Sequence, residues 1–475
     1  MKALWTQSEL RDAFAANPTE RLDATVNGVS IDTRTLQAGD LFFAIKGDTH
    51  DGHDYVARSF EAGATAAVVA RGRAASLAAF GPVYAANDTL NAMERLGIAA
   101  RSRSKARIVA VTGSVGKTTV KEMLRVMLAG LGATHASAAS YNNHWGVPLT
   151  LVRMPANAEF GVFEIGMNHA GEIAPLTRMV RPDVALITTI APVHIEHLGS
   201  IEAIADAKAE IFLGLEPGGI VVLNRDGAQF ERLADAALAR HARTLTFGAS
   251  EECNGRLIEA IDTERGSRVH ARLFGRDMHF DLGAPGLHMA QNAVGALLAA
   301  RALGADVDHG AAALARFSAQ KGRGERFSIP TADGTATIID ESYNANPASM
   351  RAALALLGAT RPGPNGRRIA VIGDMLELGP DGAAMHAQLV DDLISNSVDL
   401  LFGAGALTRA LFDAAPASMR AAWTERSSEL TPEITRTLRN GDVAMIKGSF
   451  GSRMGPVVAA LREQLAHVQD WDAQC

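Results

Sequence analysis

Apolar positions along the chain follow two periods, and the points where one replaces the other mark out strands and helices. The β-branched run Ile108 to Val111 reads as a buried strand, and "VKEMLRVMLAGL" just after it repeats apolar residues at helical spacing. Upstream, "GVSIDTRTLQAGDLFFAIKG" alternates short strands and turns, and in "DGHDYVARSFEAGATAAVVA" a helix leads into an apolar strand. A helix "TLNAMERLGIAARSR" follows, its basic end marking a boundary near residue 103. Downstream, "FGVFEIGM", "DVALITTI" and "GIVVLN" are strands alternating with helical stretches, the signature of a parallel, helix-covered sheet. A more β-like patch, "RVHARLFGRDMHFDL", precedes the helix "HMAQNAVGALLAARAL". Beyond "AQKGRGERFSI" a second series runs through "TATIIDESYNANP", "RRIAVIGDMLELG", "VDLLFGAG" and "DVAMIKGSFGSRM". Each of these ends a strand in glycine or polar residues before a helix, where doubly wound sheets place ligands. The pattern predicts an α/β protein of three domains, residues 1–85, 86–315 and 316–475, without long linkers, low-complexity segments or short-period repeats.

The turn between the first strand and helix of the middle region carries the first chemistry. It reads Gly113, Ser114, Val115, Gly116, Lys117, Thr118, Thr119. A glycine turn between a strand and a helix points backbone N–H groups at an anion; Lys117 supplies a point charge to the outer phosphates of a nucleotide and Thr118 a magnesium ligand. The helix terminus alone contributes roughly 0.3–2 kcal/mol, so the lysine and the metal carry much of the charge. Val111 stands where the general phosphate-loop pattern has its first glycine. The competing reading is an ordinary strand-to-helix turn with an exposed lysine.

Bulk properties narrow the class. A chain of 475 residues exceeds one comfortable core, and 47% hydrophobic with 21% charged residues describes a globular protein. The net charge of −6 and pI near 6.2 give no basic character for nucleic acid. Two cysteines, Cys253 and Cys475, are too few for a disulfide framework and lack metal-ligand spacing. "MKALWTQSELRDAF" acquires charges too early for a signal peptide, and no apolar run approaches the ~18 residues of a membrane span. A cytoplasmic protein is expected.

Further candidates keep two readings each. Glu164 sits inside an apolar strand, where a carboxylate is costly without a cation; it is either a structural ion pair or a magnesium ligand facing the phosphate loop. His194 and His197 flank Glu196 beyond another strand end, without the H-E-x-x-H pattern of a zinc site; His194 is either a helper of a magnesium site or a loop histidine. In "SIEAIADAKAEIFLGL", Ser200 is an N-cap and Lys208 falls on the stripe of Ile201 and Ile204. A buried lysine can lose its charge and react with carbon dioxide to give a carbamate; the alternative is a snorkelling side chain. Asn292 either meets a nucleotide edge or is a plain helix-start residue, and Arg323 and Arg326 either clamp phosphate from the second α/β series or are surface charges.

Taken together, "SIDTRTLQAGDLFFAIKGDTHDGHDY", "TGSVGKTT", "SYNNHWGVPLTL", "FEIGMNHAGEI", "AKAEIF", "IDESYNANPASM", "VIGDMLELG" and "KGSFGSRM" resemble the Mur ligase family over essentially the whole chain, and within it the branch that adds D-alanyl-D-alanine. The family's shorter G-x-x-G-K-T-T loop accounts for Val111. The resemblance implies a small N-terminal α/β domain that binds a UDP precursor, a central P-loop ATPase with a mostly parallel sheet, and a C-terminal Rossmann-like domain that receives the amine. It implies ATP and Mg2+, the substrates UDP-N-acetylmuramoyl-tripeptide and D-alanyl-D-alanine, no nucleic acid, no membrane span and a monomer. By the same resemblance Lys117 and Thr118 act on ATP and magnesium, Glu164 and His194 serve a second metal position, and Lys208 matches a carbamylated lysine. Asn292, Arg326, Asp340, Asn344 and Asn346 fall at nucleotide-contacting positions, with Glu341 where relatives carry a second aspartate. Ser30, Arg34, Lys46, Asn142 and Asn143 match the UDP-sugar end. Two alternatives remain: a sister Mur or folylpolyglutamate-type ligase adding one amino acid, and a regulatory P-loop NTPase. A GTPase's N-K-x-D is replaced here by "LNRDG".

Overall fold

The structure, a computed structural model, describes residues 3–472 except 21, 23, 24, 139, 194 and 264. Three sheets follow one another along it. The first has four parallel strands in the order Gly28–Ser30, Asp40–Phe43, Ala66–Ala70, Val83–Ala86. The second has nine. Seven run parallel, in the order Thr134–Ala136, Phe160–Glu164, Arg107–Thr112, Val184–Ile187, Ile220–Asn224, Arg243–Gly248 and Gly255–Thr263, and an antiparallel pair, Gly266–Leu273 and Arg276–Leu282, closes one edge. The third has six, ordered Glu325–Thr331, Gly334–Glu341, Val443–Lys447, Arg368–Gly373, Leu400–Ala404, Arg420–Thr424, with only the first strand antiparallel to its neighbour.

Every apolar run read as a strand in the middle and last parts is one. Ile108 to Val111 and the whole of Phe160–Glu164 are buried, because helices cover both faces of a parallel sheet. Five strands have weaker signatures, the three-residue edge strand Thr134–Ala136 among them. Gly255–Thr263 exposes much of its length, Arg420–Thr424 and Glu325–Thr331 lie at sheet edges, and Pro330 inside the last is tolerated because an edge strand has unpaired N–H positions. Arg243–Gly248 was also not singled out, although it lies inside the parallel ladder.

The helix Thr89–Arg103 begins where the Asp88 side chain accepts from the Asn91 N–H. Its Ala92, Met93, Leu96 and Ala100 join the apolar cluster of the first sheet, as do Leu149 and Val152 of the helix Gly146–Val152. Buried Arg101 fastens this helix to the next layer. Its Nε and Nη2 donate to the carbonyls of Val180 and Arg181, each at 2.8 Å, where the helix Ile173–Val180 ends. Among the described residues no helix is long and apolar enough to cross a membrane.

Replacing Arg101 leaves those two helix-end carbonyls without donors. Arg101→Met is expected to lower the free energy of unfolding by about 1–3 kcal/mol, read from urea denaturation; an unchanged midpoint would contradict the role given to this side chain.

Candidate active site

The site starts where the strand Arg107–Thr112 gives way to the helix Lys117–Ala129. Gly113 and Gly116 take φ of 147° and 89°, a region that side chains avoid. There is also no room for a side chain at Gly113, where a Cβ would stand 1.9 Å from Thr188 Oγ1. The loop is held from behind: Ser114 N–H donates to the Thr189 carbonyl at 2.8 Å, Ser114 Oγ to the Ala191 carbonyl at 3.0 Å, and Thr188 Oγ1 to the Val115 carbonyl at 2.5 Å. Ser114 and Val115 therefore spend their polar groups on shaping the loop. The helix opens at Gly116 without a side-chain cap, so its first-turn N–H groups face the cleft as an anion would require. Lys117 curls back, its Nζ donating to the Gly113 carbonyl at 2.7 Å.

Glu164, 2% exposed at the end of its strand, is the centre of a short network. Thr118 Oγ1 donates to its Oε2 at 2.8 Å and Asn142 Nδ2 to its Oε1 at 2.7 Å. Thr118 Oγ1 also lies 3.1 Å from Ser140 Oγ, which accepts from Arg323 Nη2 at 3.2 Å. The carboxylate is thus bonded by neutral donors, with the Lys117 charge nearby rather than a closed ion pair. Burial lowers the Lys117 pKa, and the Glu164 charge works against that shift. A buried carboxylate beside a threonine hydroxyl and a phosphate loop is a donor set suited to a hard divalent cation.

Lys208 is 1% exposed on the helix Ile201–Ala209, whose Ser200 side chain accepts from the Ala203 N–H as an N-cap should. Burial first, and the Lys117 charge second, hold its amine well below the ordinary lysine pKa. His194 lies outside the described residues; His197 and Glu196 are exposed.

A cavity of about 440 Å³ collects the phosphate loop, Asn142 and Glu164 and extends to the third sheet, while buried Lys208 does not line it. From the middle region it takes the loop residues 114–119, Asn142, Glu164 and Asn292, and from the third it takes Arg323, Glu341, Asn344, Asn346 and Lys447. Glu341 and Lys447 are register partners at the carboxyl ends of parallel strands. Lys447, 2% exposed, donates to the Asn344 carbonyl at 2.8 Å and lies 3.5 Å from Glu341. Its pKa is lowered by burial, against the pull of Glu341. Asn346 also caps the helix Pro347–Ala359.

Several expected residues do not line this cavity. Arg326 turns to Thr360, donating from Nη2 at 3.0 Å, and Arg323 reaches the cleft in its place. Asp340 is buried and occupied by Gly322 N–H at 2.9 Å and Ser342 Oγ at 2.6 Å, which leaves Glu341 as the carboxylate facing the cleft. Asn142 and Asn143 part company, because Asn143 Oδ1 accepts from the Gly146 N–H at the start of a helix. Ser30 ends the Gly28–Ser30 strand and Arg34 lies just beyond it, both bonded to Asp32, and exposed Lys46 forms a backbone bridge with Asp51. Lys447 and Ser140 were not foreseen. Lys447 had a signal, a lone charge ending an otherwise buried strand, as Glu164 does.

Three family models match successive parts of the chain: the Mur ligase family catalytic domain at residues 25–115, the Mur ligase middle domain at 111–300 and the Mur ligase glutamate ligase domain at 322–450. The chain is 34% identical over 464 residues to the UDP-N-acetylmuramoyl-tripeptide–D-alanyl-D-alanine ligase of Escherichia coli, covering 96% of this chain and 98% of that protein. The chain belongs to the Mur ligase family. The Rickettsia prowazekii protein of the same name is 30% identical over 458 residues, covering 96% of this Mur ligase and 99% of the relative. The crystal structure of MurF from Acinetobacter baumannii aligns with a TM-score of 0.83 at 28% identity, covering 97% and 99% of the two chains.

The phosphate loop of this Mur ligase tolerates no side chain at residue 113. Gly113→Ala is expected to weaken ATP binding at least about tenfold through displacement of the loop from Thr188, measured by titration calorimetry. Wild-type affinity would show that the loop accommodates the methyl group.

Proposed function

We propose that this Mur ligase joins D-alanyl-D-alanine to the peptide carboxylate of UDP-N-acetylmuramoyl-tripeptide at the expense of ATP, in peptidoglycan precursor synthesis. The observation that carries this is the single cavity in which the phosphate loop of the second sheet faces Arg323, Glu341 and Lys447 of the third. Full-length similarity to relatives of that name supports the choice of substrates. The chain works in three parts, 1–85, 86–315 and 316–475, in the cytoplasm where ATP is supplied, as a monomer and without nucleic acid.

A carboxylate is a poor electrophile. Transfer of the γ-phosphoryl group of ATP to it gives an acyl phosphate, and the dipeptide amine then attacks the acyl carbon and displaces phosphate. The first-turn N–H groups and Lys117, released from the Gly113 carbonyl, hold the outer phosphates while negative charge spreads over the transferred oxygens. Arg323 approaches the same phosphates from the third sheet. Thr118 would hold the Mg2+ of the nucleotide and Glu164, which it touches, would serve a second metal position with His194, where the ions would offset phosphate charge. Burial lowers the Lys208 pKa and so favours the uncharged amine, the form that adds to carbon dioxide to give a carbamate anion with release of a proton. Asn292, beside the Gly116 turn, and Asn344 meet the nucleotide, while Ser30, Arg34 and Lys46 receive the UDP end. An acyl phosphate hydrolyses in water, so the cleft between the sheets also has to exclude solvent.

Oxygen-18 placed in the acceptor's carboxyl group should appear in the released inorganic phosphate in a one-to-one ratio with ligated product; phosphate free of label would overturn the acyl phosphate route. Lys208→Ala should lose at least about a hundredfold in kcat and regain part of it with small carboxylic acids such as formate, followed as ADP release. Wild-type turnover in that variant would return Lys208 to a packing role.

A further inference from the structure

A second cavity, of about 770 Å³, adjoins the first, and the two share Gly322 and Tyr343 in their walls. Tyr343 carries the Arg323 guanidinium 4.0 Å over its ring and has Phe450 as a tilted neighbour at 6.1 Å. Phe450 is 78% exposed, an unusual position for so large an apolar ring unless something covers it. Pro456, Val458 and Ala459 continue the apolar lining, and three cations stand around it: Lys321, Arg453 and Arg462.

The cations differ in what they are free to do. Arg462 is engaged, with Nη2 2.7 Å from Glu325 and the guanidinium over Phe327. Lys321 and Arg453 form no ion pair among the described residues, and Arg453 is the better placed of the two. It holds a left-handed backbone with φ of 56°, fixed by Ser427 Oγ donating to its carbonyl at 2.9 Å and by its own N–H donating to the Phe450 carbonyl at 3.2 Å. Its guanidinium and the Phe450 ring are thereby set on one short, rigid turn. Together they present a cation suited to a carboxylate beside an apolar cover, in a cavity that the phosphate-loop residues do not line.

We infer that Arg453 takes the carboxylate of the incoming dipeptide while Phe450 covers its methyl groups, so that the amine is directed past Tyr343 toward the activated acyl group. The assignment rests on the ligase reading above. A two-residue zwitterion spans about 7 Å end to end, which suits a receptor in one cavity and a reacting centre in the next. Arg453 is then the residue that distinguishes a free acid from its neutral analogue, because an arginine fork left facing an amide loses its charge-assisted bonds.

The test compares D-alanyl-D-alanine with its C-terminal amide on the full-length enzyme and on Arg453→Gln, Arg453→Lys and Phe450→Ala. The wild type should prefer the free acid by about tenfold to a hundredfold in kcat/KM. In Arg453→Gln that preference should fall to about threefold or less through a higher KM for the dipeptide, while the KM values for ATP and the nucleotide-linked peptide stay within about twofold. Arg453→Lys should restore part of the preference, and Phe450→Ala should raise the KM for both amines alike. An unchanged preference in Arg453→Gln, or a wild type that uses acid and amide equally, overturns the assignment and leaves the ligase reading standing. A wild type that ligates neither amine overturns both.

Discussion

A carboxylate buried at the end of the strand next to one edge of the second sheet organises the site. Glu164 is bonded by a hydroxyl from the phosphate loop and an amide from the Asn142 loop, and this one contact fixes their distance from each other. Charge in a site of low exposure is expensive, so a carboxylate met by neutral donors is poised to accept a cation with the nucleotide. The hydroxyl of Ser140 carries the same network on to Arg323, which belongs to the third sheet. Hydrogen bonds therefore run without a break from the phosphate loop into the part of the chain that presents the other face of the cleft.

Parallel sheets bind at their carboxyl ends, and this molecule turns two such ends toward one space. Glu164 closes a strand of the second sheet, and Glu341 and Lys447 close adjacent strands of the third. Glu164 and Lys447 are each the first polar side chain after a run of buried apolar residues, and Glu341 follows buried Asp340, so the apolar pattern that builds the sheet also delivers charge to its rim. A group-transfer reaction with three participants is served by this arrangement, because each rim positions its own substrate and the cavity between them excludes water.

The strands Arg107–Thr112, Phe160–Glu164, Val184–Ile187 and Ile220–Asn224 of the middle region could be read from the sequence because their apolar runs are continuous and end in glycine or polar residues. The Ser200 cap followed from its residue type ahead of the apolar stripe, whereas spacing left Lys208 between a buried and a snorkelling side chain, and the structure buries it. Orientation between neighbours was harder. Arg323 and Arg326 are three residues apart and equally cationic, yet one enters the cleft and the other turns to Thr360, because Gly322 and Gly324 take left-handed turns on either side of Arg323. Asp340 and Glu341 alternate across a strand, and period two sends only one of them to the cavity. Edge strands such as Glu325–Thr331, with a proline and a polar face, left little periodic signal at all.

The Asp340 carboxylate binds the Gly322 N–H, and the backbone adds two more ties: Gly324 N–H to the Asp340 carbonyl at 2.8 Å and Tyr343 N–H to the Gly322 carbonyl at 3.1 Å. From residue 322 onward, then, the connecting segment is mechanically part of the third sheet, whereas Phe317 is packed into the core of the second. Ala319 packs against that same core, so any swing of one body against the other has to be absorbed around backbone positions 320 and 321, and Arg323 travels as a fixed tooth on the moving part instead of adjusting on its own.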